Sequence, residues 1–208
     1  MKFGLSAALI GLAATVASAQ DLQTGPWNLK VKGSASTSNI DGYLSTCHSG
    51  AALSALCYGT ALEGEASSFL FNYTVYNKVD GHNTGYITWN QPYTDENNQE
   101  QYVNQAMSLT YLDNSNVAAV SFGFDGSFFT GWDNNELFGA VYGDDSKNTP
   151  GTAPAEPSSS SAYYNWALCW QYVGGGYYYQ SVAWIQLGKP HNPTCEAVTI
   201  TRVAAKKS

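Results

Sequence analysis

Two aromatic-rich runs lie near the end of the chain. They are Ala162-Tyr163-Tyr164-Asn165-Trp166-Ala167-Leu168-Cys169-Trp170-Gln171-Tyr172 and Tyr177-Tyr178-Tyr179-Gln180-Ser181-Val182-Ala183-Trp184-Ile185-Gln186-Leu187, joined by Val173-Gly174-Gly175-Gly176. Aromatic and β-branched residues suit a pleated surface, and a glycine-rich joint between two such runs is a hairpin signal. If Tyr172 stands opposite Tyr177, Trp170 faces Tyr179 and Trp166 faces Ala183 on one side, while Trp184 shares the other side with Asn165. Two Trp and several Tyr buried on one face would anchor a core.

Outward from this hairpin the chain keeps reading as strand. Trp27–Lys32 and Phe69–Tyr76 alternate apolar and polar residues, the period of a half-buried strand. Gly85–Asn90, Ala106–Leu112, Val117–Phe122, Leu137–Tyr142 and Val198–Val203 are further strand candidates, separated by Asn-, Asp- and Gly-rich turns such as Asp113-Asn114-Ser115-Asn116. The predicted fold class is all-β: an antiparallel β-sandwich or flattened barrel. At most one short helix is expected, near Gly50–Leu56. Residues 144–161 carry no large apolar side chain and read as a flexible Pro/Ser-rich loop. Residues 20–208 make one domain, a length that suits a single core.

Composition narrows the function classes. Among 208 residues, charged ones are only 12% and aromatics reach 14%, with nine Lys+Arg against sixteen Asp+Glu. So aromatic a chain is not a disordered one. So acidic a chain is not a general nucleic-acid binder, because phosphate neutralisation needs clustered cations.

The first nineteen residues, Met1–Ala19, read as a secretory signal peptide: Lys2, the apolar run Leu5–Val16 and Ala17-Ser18-Ala19 as cleavage site. No second hydrophobic run follows, and the polar end Val203–Ser208 is unlike a lipid-anchor signal. The expected location is therefore secreted, extracellular or cell-wall associated, without a membrane anchor. Asn72-Tyr73-Thr74 is an N-glycosylation sequon, whereas Pro193 spoils Asn192-Pro193-Thr194. Cys47, Cys57, Cys169 and Cys195 allow three pairings, and an oxidising compartment favours two disulfides. Cys47–Cys57 with Cys169–Cys195 is the favoured set, the first closing a short loop around Gly50. The second requires Gly188–Thr194 to run back extended along the sheet, within reach at about 3.3 Å per residue.

Catalytic signals are sparse. There is no Gly-x-Ser-x-Gly elbow, and His48, His82 and His191 lie in unrelated contexts. A glycanase needs two carboxylates about 5–9.5 Å apart across a cleft. Most acids here fall in turns, and the best pair that can be assembled is Glu136 with Glu63 or Glu65. The simpler reading of all three is a solvated carboxylate. No metal site is expected: no His pair has ligand spacing, and Asp133–Glu136 and Asp144-Asp145 depart from a Ca²⁺ loop. No cofactor is expected either, since Gly174–Gly176 joins strands and precedes no Lys. The remaining signal is aromatic. Trp132 sits among turn residues, and alternation cannot bury every ring of Tyr177, Tyr178 and Tyr179 on one side, so these four are the candidate binding residues. The competing reading is that they fill a sheet interface.

Several motifs are also familiar as texts. Leu44-Ser45-Thr46-Cys47-His48-Ser49-Gly50-Ala51-Ala52 with Leu56-Cys57, then Gly85-Tyr86-Ile87-Thr88-Trp89, Tyr164–Cys169, Ala183-Trp184 and Gly188-Lys189-Pro190-His191-Asn192-Pro193-Thr194-Cys195, resemble a family of secreted ascomycete proteins catalogued as a domain of unknown function. The resemblance covers most of Trp27–Val203. It implies a fungal source, secretion, a β-sandwich and the same two disulfides, and it transfers no catalytic residue. The expected function is a non-enzymatic binding or interaction protein of the wall or surface, a monomer whose partner is a cell-wall polysaccharide or a host or self surface protein. The alternative is a glycoside-hydrolase-like enzyme with an aromatic-lined cleft.

Overall fold

The computed structural model describes residues 22–60, 67–123, 127–153 and 160–205. The expected signal peptide, Glu63 and Glu65 lie outside these residues. The strands are β1 (Leu22–Gly33), β2 (Asp41–Gly50), β3 (Leu53–Gly59), β4 (Phe71–Val79), β5 (His82–Thr94), β6 (Glu100–Tyr111) and β7 (Val117–Gly123). They continue as β8 (Thr130–Asp133), β9 (Glu136–Val141), β10 (Ser161–Tyr163), β11 (Trp166–Tyr172), β12 (Tyr178–Ile185) and β13 (Glu196–Ala204). Helical geometry among the described residues is limited to single 3₁₀ turns at Ser67–Phe69 and Asp145–Lys147. The protein is an all-β, wholly antiparallel sheet that closes on itself, a sandwich flattened from a barrel.

Closure works by sharing strands. β1 pairs β4 through Leu22–Trp27, β2 through Leu29–Lys32 and β13 through Trp27–Gly33. β5 pairs β8 at Thr84–Gly85 and β6 at Thr88–Thr94. β7 pairs β12 at Val117–Ala119 and β3 at Ser54↔Phe122 and Ala55↔Ser121. Closing the ring pairs backbone groups that an open edge would leave exposed. The enclosed core holds Leu29, Leu44, Phe71, Phe122, Leu168 and Ile200, all essentially inaccessible. Each such side chain contributes about 1.5–3 kcal/mol by leaving water.

Four expectations about the fold need correction. Gly50–Leu56 is not helical: it is the β2–β3 hairpin, with Cys47↔Ala55 and Ser45↔Cys57 in register. The Cys47–Cys57 disulfide across these strands, and burial of Ser54–Cys57 on both faces, override the helix preference of Ala and Leu. Thr130–Asp133 is not a turn but strand β8. The turn is displaced to Asn134-Asn135, whose φ values of 48° and 70° are those of a two-residue hairpin loop.

The third correction concerns the aromatic hairpin. Tyr172 stands opposite Tyr178, not Tyr177, so every partner moves by one residue. The cause is the loop. Val173 N–H donates to the Tyr177 carbonyl at 3.0 Å, and Tyr177 N–H donates to the Gly174 carbonyl at 2.9 Å, leaving three loop residues where four were expected. Gly174, Gly175 and Gly176 all have positive φ (120°, 48°, 88°), a run that side chains with a Cβ resist. A slip of one residue exchanges faces. Trp184 therefore joins Trp166 on the same side, directly opposite it, with ring centroids 4.8 Å apart and edge-to-face.

Cys169–Cys195 forms, with Cα atoms 4.1 Å apart, beside the β11–β13 pairs Ala167↔Ala197 and Leu168↔Glu196. The return segment is bent, however, and not extended. Asn116 clamps it: the side-chain amide donates to the Leu187 and Lys189 carbonyls, and its oxygen accepts from His191 N–H, all within 2.8 Å. Beyond the disulfide, Thr194 Oγ1 accepts from Trp170 N–H at 3.0 Å and Asn192 Nδ2 donates to the Trp170 carbonyl at 2.9 Å. Two side chains thus continue the ladder where backbone pairing stops.

Candidate functional site

The four candidate aromatics part company in the fold. Trp132 is buried, only 8% exposed, so it offers no face to a ligand. It faces the core from β8, edge-on to Tyr73 at 5.9 Å, and the Arg202 guanidinium lies 5.0 Å above its ring and 4.9 Å from that of Trp27. Burial raises the Tyr73 hydroxyl well above the usual phenol range, which keeps it a neutral donor to the Thr130 carbonyl at 2.9 Å. Tyr177 and Tyr179 share one face of β12, stacked at 6.3 Å, with His48 edge-on to Tyr177 at 5.0 Å. They are half-buried over a small cluster of Ala55, Cys57, Ala119 and Val173.

Tyr178 points the other way and is exposed. It lies between Trp170, stacked at 5.7 Å with planes 23° apart, and Tyr172 at 5.0 Å. Trp170, Tyr172 and Tyr178 are 46%, 59% and 49% exposed, so three rings form an open platform at the hairpin tip. Trp170 and Tyr172 are the functional candidates that sequence reasoning missed. Alternation placed Trp170 on the core-facing side of β11, and it is on that side, but the cover ends before it. Its partner across the strand is the polar Gln180, a pairing that appears only in the observed register.

A second feature lies at the other end of the same hairpin. It is a cleft of about 910 Å³ between the β9–β10 connection, the start of β11 and the end of β12. Its lining includes Asp144, Tyr163, Tyr164, Asn165, Trp184 and Gln186. Asp144 accepts from the backbone and hydroxyl of Ser146 and from Tyr163 OH at 2.7 Å, and Lys147 Nζ lies 3.3 Å away. The Ser146 and Tyr163 bonds hold the Asp144 carboxyl well below the usual carboxylate range. Lys147 also donates to Tyr163 OH at 3.1 Å, and these bonds push its ammonium upward. Residues at the start of the 144–161 loop are thus tied down.

Among the described residues, the acids that line the cleft do not face one another across it. The cleft carboxylates among the described residues, Asp144 and Asp145, are neighbours in the chain. Glu136 starts β9 opposite Asp133, outside the cleft lining. Tyr164 OH donates to Asp133 at 3.1 Å; burial first, then Asp133, Glu136 and Asp80, raise its hydroxyl. His82 stands 3.8 Å from Asp133 and edge-on to Phe138. No group of three or more His, Cys, Asp or Glu among the described residues is arranged to hold a metal ion. Asn72 sits on β4, half-exposed and opposite Thr88.

The chain matches no protein-family model, no curated protein and no solved structure. The resemblance carried by the cysteine motifs rests on those motifs alone. Two disulfides fit an oxidising compartment, and among the described residues no helix is long and apolar enough to cross a membrane.

Proposed function

We propose that this chain is a secreted fungal protein of the wall or surface that binds polysaccharide without cleaving it, gripping the polymer on the Trp170–Tyr178–Tyr172 platform. The observation that carries the reading is the platform itself: three half-exposed rings in contact, on a hairpin tied by a disulfide. Aromatic rings stack on the apolar faces of sugars, and exposed aromatic patches on a protein surface mark binding sites. Fixed rings lose little conformational entropy on binding, which favours affinity. The leader residues Met1–Ala19 and the sequon at Asn72 support export, with Asn72 as the glycan site.

Binding is preferred to hydrolysis because the described cleft acids are adjacent and Asp144 is occupied by its own neighbours. An acid–base pair needs both carboxyls free and apart. The test is adsorption to chitin, glucan, cellulose and xylan, with released reducing ends measured in parallel. Native protein adsorbs to at least one polymer, Trp170→Ala adsorbs about tenfold less, a loss near 1.4 kcal/mol, and no reducing ends appear. Reducing ends that vanish in Glu136→Gln would make the protein a glycanase. No adsorption to any polymer would make its partner a protein.

A further inference from the structure

The cleft at the base of the hairpin is separate from the platform and has its own chemistry. Its volume, about 910 Å³, is that of a small-molecule site. The carboxylates that line it, Asp144 and Asp145, and the nearby Asp133 and Asp80 that raise the lining Tyr164 hydroxyl, are each engaged by donors of this chain. Asp144 takes Ser146, Tyr163 and Lys147; Asp145 takes Asn148; Asp133 takes Tyr164 and Asn134; Asp80 takes Ala162 N–H. The side-chain amides of Asn165 and Gln186, which also line it, make no hydrogen bond to a described residue.

An amide offers both donors and an acceptor, and a hydroxyl is likewise both, so a pair of open amides complements a hydroxyl-rich ligand. Ile185, Leu187 and Pro190 add apolar surface to the same lining, which complements the C–H faces of a sugar ring. Among the described residues no Lys or Arg lines the cleft, and its two acids disfavour phosphate- or carboxylate-bearing ligands. We propose that the cleft binds the end of a short, uncharged oligosaccharide, held by Asn165 and Gln186 and resting on the apolar lining.

The experiment is a titration of native ¹⁵N-labelled protein with cellotetraose, xylotetraose, laminaritetraose and N-acetylated chitotetraose, read by NMR. One of these saturates, and the shifts centre on the Asn165 and Gln186 side-chain amides. Asn165→Ala and Gln186→Ala each weaken that saturation about tenfold and keep the native unfolding midpoint. Three outcomes overturn the proposal: no tetrasaccharide saturates, the shifts centre on the Trp170 indole instead, or a glucosamine tetramer binds more tightly and Asp145→Asn abolishes it. Adsorption of insoluble polymer is read separately, so the platform can fail while the cleft stands, and the reverse.

Discussion

The two ends of the β11–β12 hairpin share one face and lead opposite lives. At the base, Trp166 and Trp184 are 2% and 5% exposed, in edge-to-face contact, and Trp166 Nε1 donates to the Leu137 carbonyl at 2.9 Å. At the tip, the same face of the same strands presents Trp170, Tyr172 and Tyr178 to solvent. Leu168 and Val182, both inaccessible, mark the transition between them. The residue types hardly differ. What differs is the cover: Phe128 packs on Trp166 and Trp184, while the tip rings touch chiefly each other. An indole is structural or adhesive according to what the rest of the sheet lays over it.

Replacement at matched positions gives the sharpest test of this contrast. Trp166→Ala should cost about 3–5 kcal/mol in denaturant unfolding, the loss of transfer free energy plus a cavity. Trp170→Ala should stay within about 0.5 kcal/mol of the native protein. Equal losses would mean that the tip rings are part of the core after all. Next comes the brace between the two ends. Replacing both Cys169 and Cys195 by Ser should cost about 2–5 kcal/mol, read from the urea midpoint under non-reducing conditions. Polymer adsorption then separates function from folding, with Tyr178→Ala weakening it several-fold at an unchanged melting temperature. If adsorption is indifferent to Tyr178, the rings at the tip do not act as one surface.

The smallest effect concerns the base cleft. The folded state depresses the Asp144 pKa, so its stabilisation is fully present above the unfolded carboxyl value of about 3.9 and is lost as the pH falls below it. Asp144→Asn should therefore be slightly less stable than the native protein at pH 7, and the two should converge in acid. A gap that widens in acid would reverse the assignment.

Much of this architecture could be read from the residues. Alternation located β1 and β4, the further strand candidates fall on β5, β6, β7, β9 and β13, and the sequence pointed to the right disulfide set. What escaped was non-local. Whether the hairpin joint holds three residues or four depends on whether Val173 bonds to Tyr177, a choice that Gly174–Gly176 leaves open and that sets the register of every ring beyond it. Four residues, Thr130–Asp133, are too few for a pattern, and β8 exists because β5 and β9 flank it. The ring of Trp132 is inside for the same reason. Gly50–Leu56 carries helix-favouring residues, and only the partner strand and the disulfide make it extended. As for the candidate site, periodicity tells which face a side chain occupies but not where along the strand the opposing layer stops. That is why the sequence named Tyr178 only together with Tyr177 and Tyr179, and did not name Trp170.

The meeting of Trp166 and Trp184 across the β11–β12 hairpin has an optical consequence. Two indoles at 4.8 Å and 73° are close enough, and suitably inclined, for their excited states to mix. Their circular dichroism should carry a paired positive and negative band that neither ring produces by itself. Because the rings stand opposite each other on β11 and β12, that couplet reports whether the two strands are paired in this register.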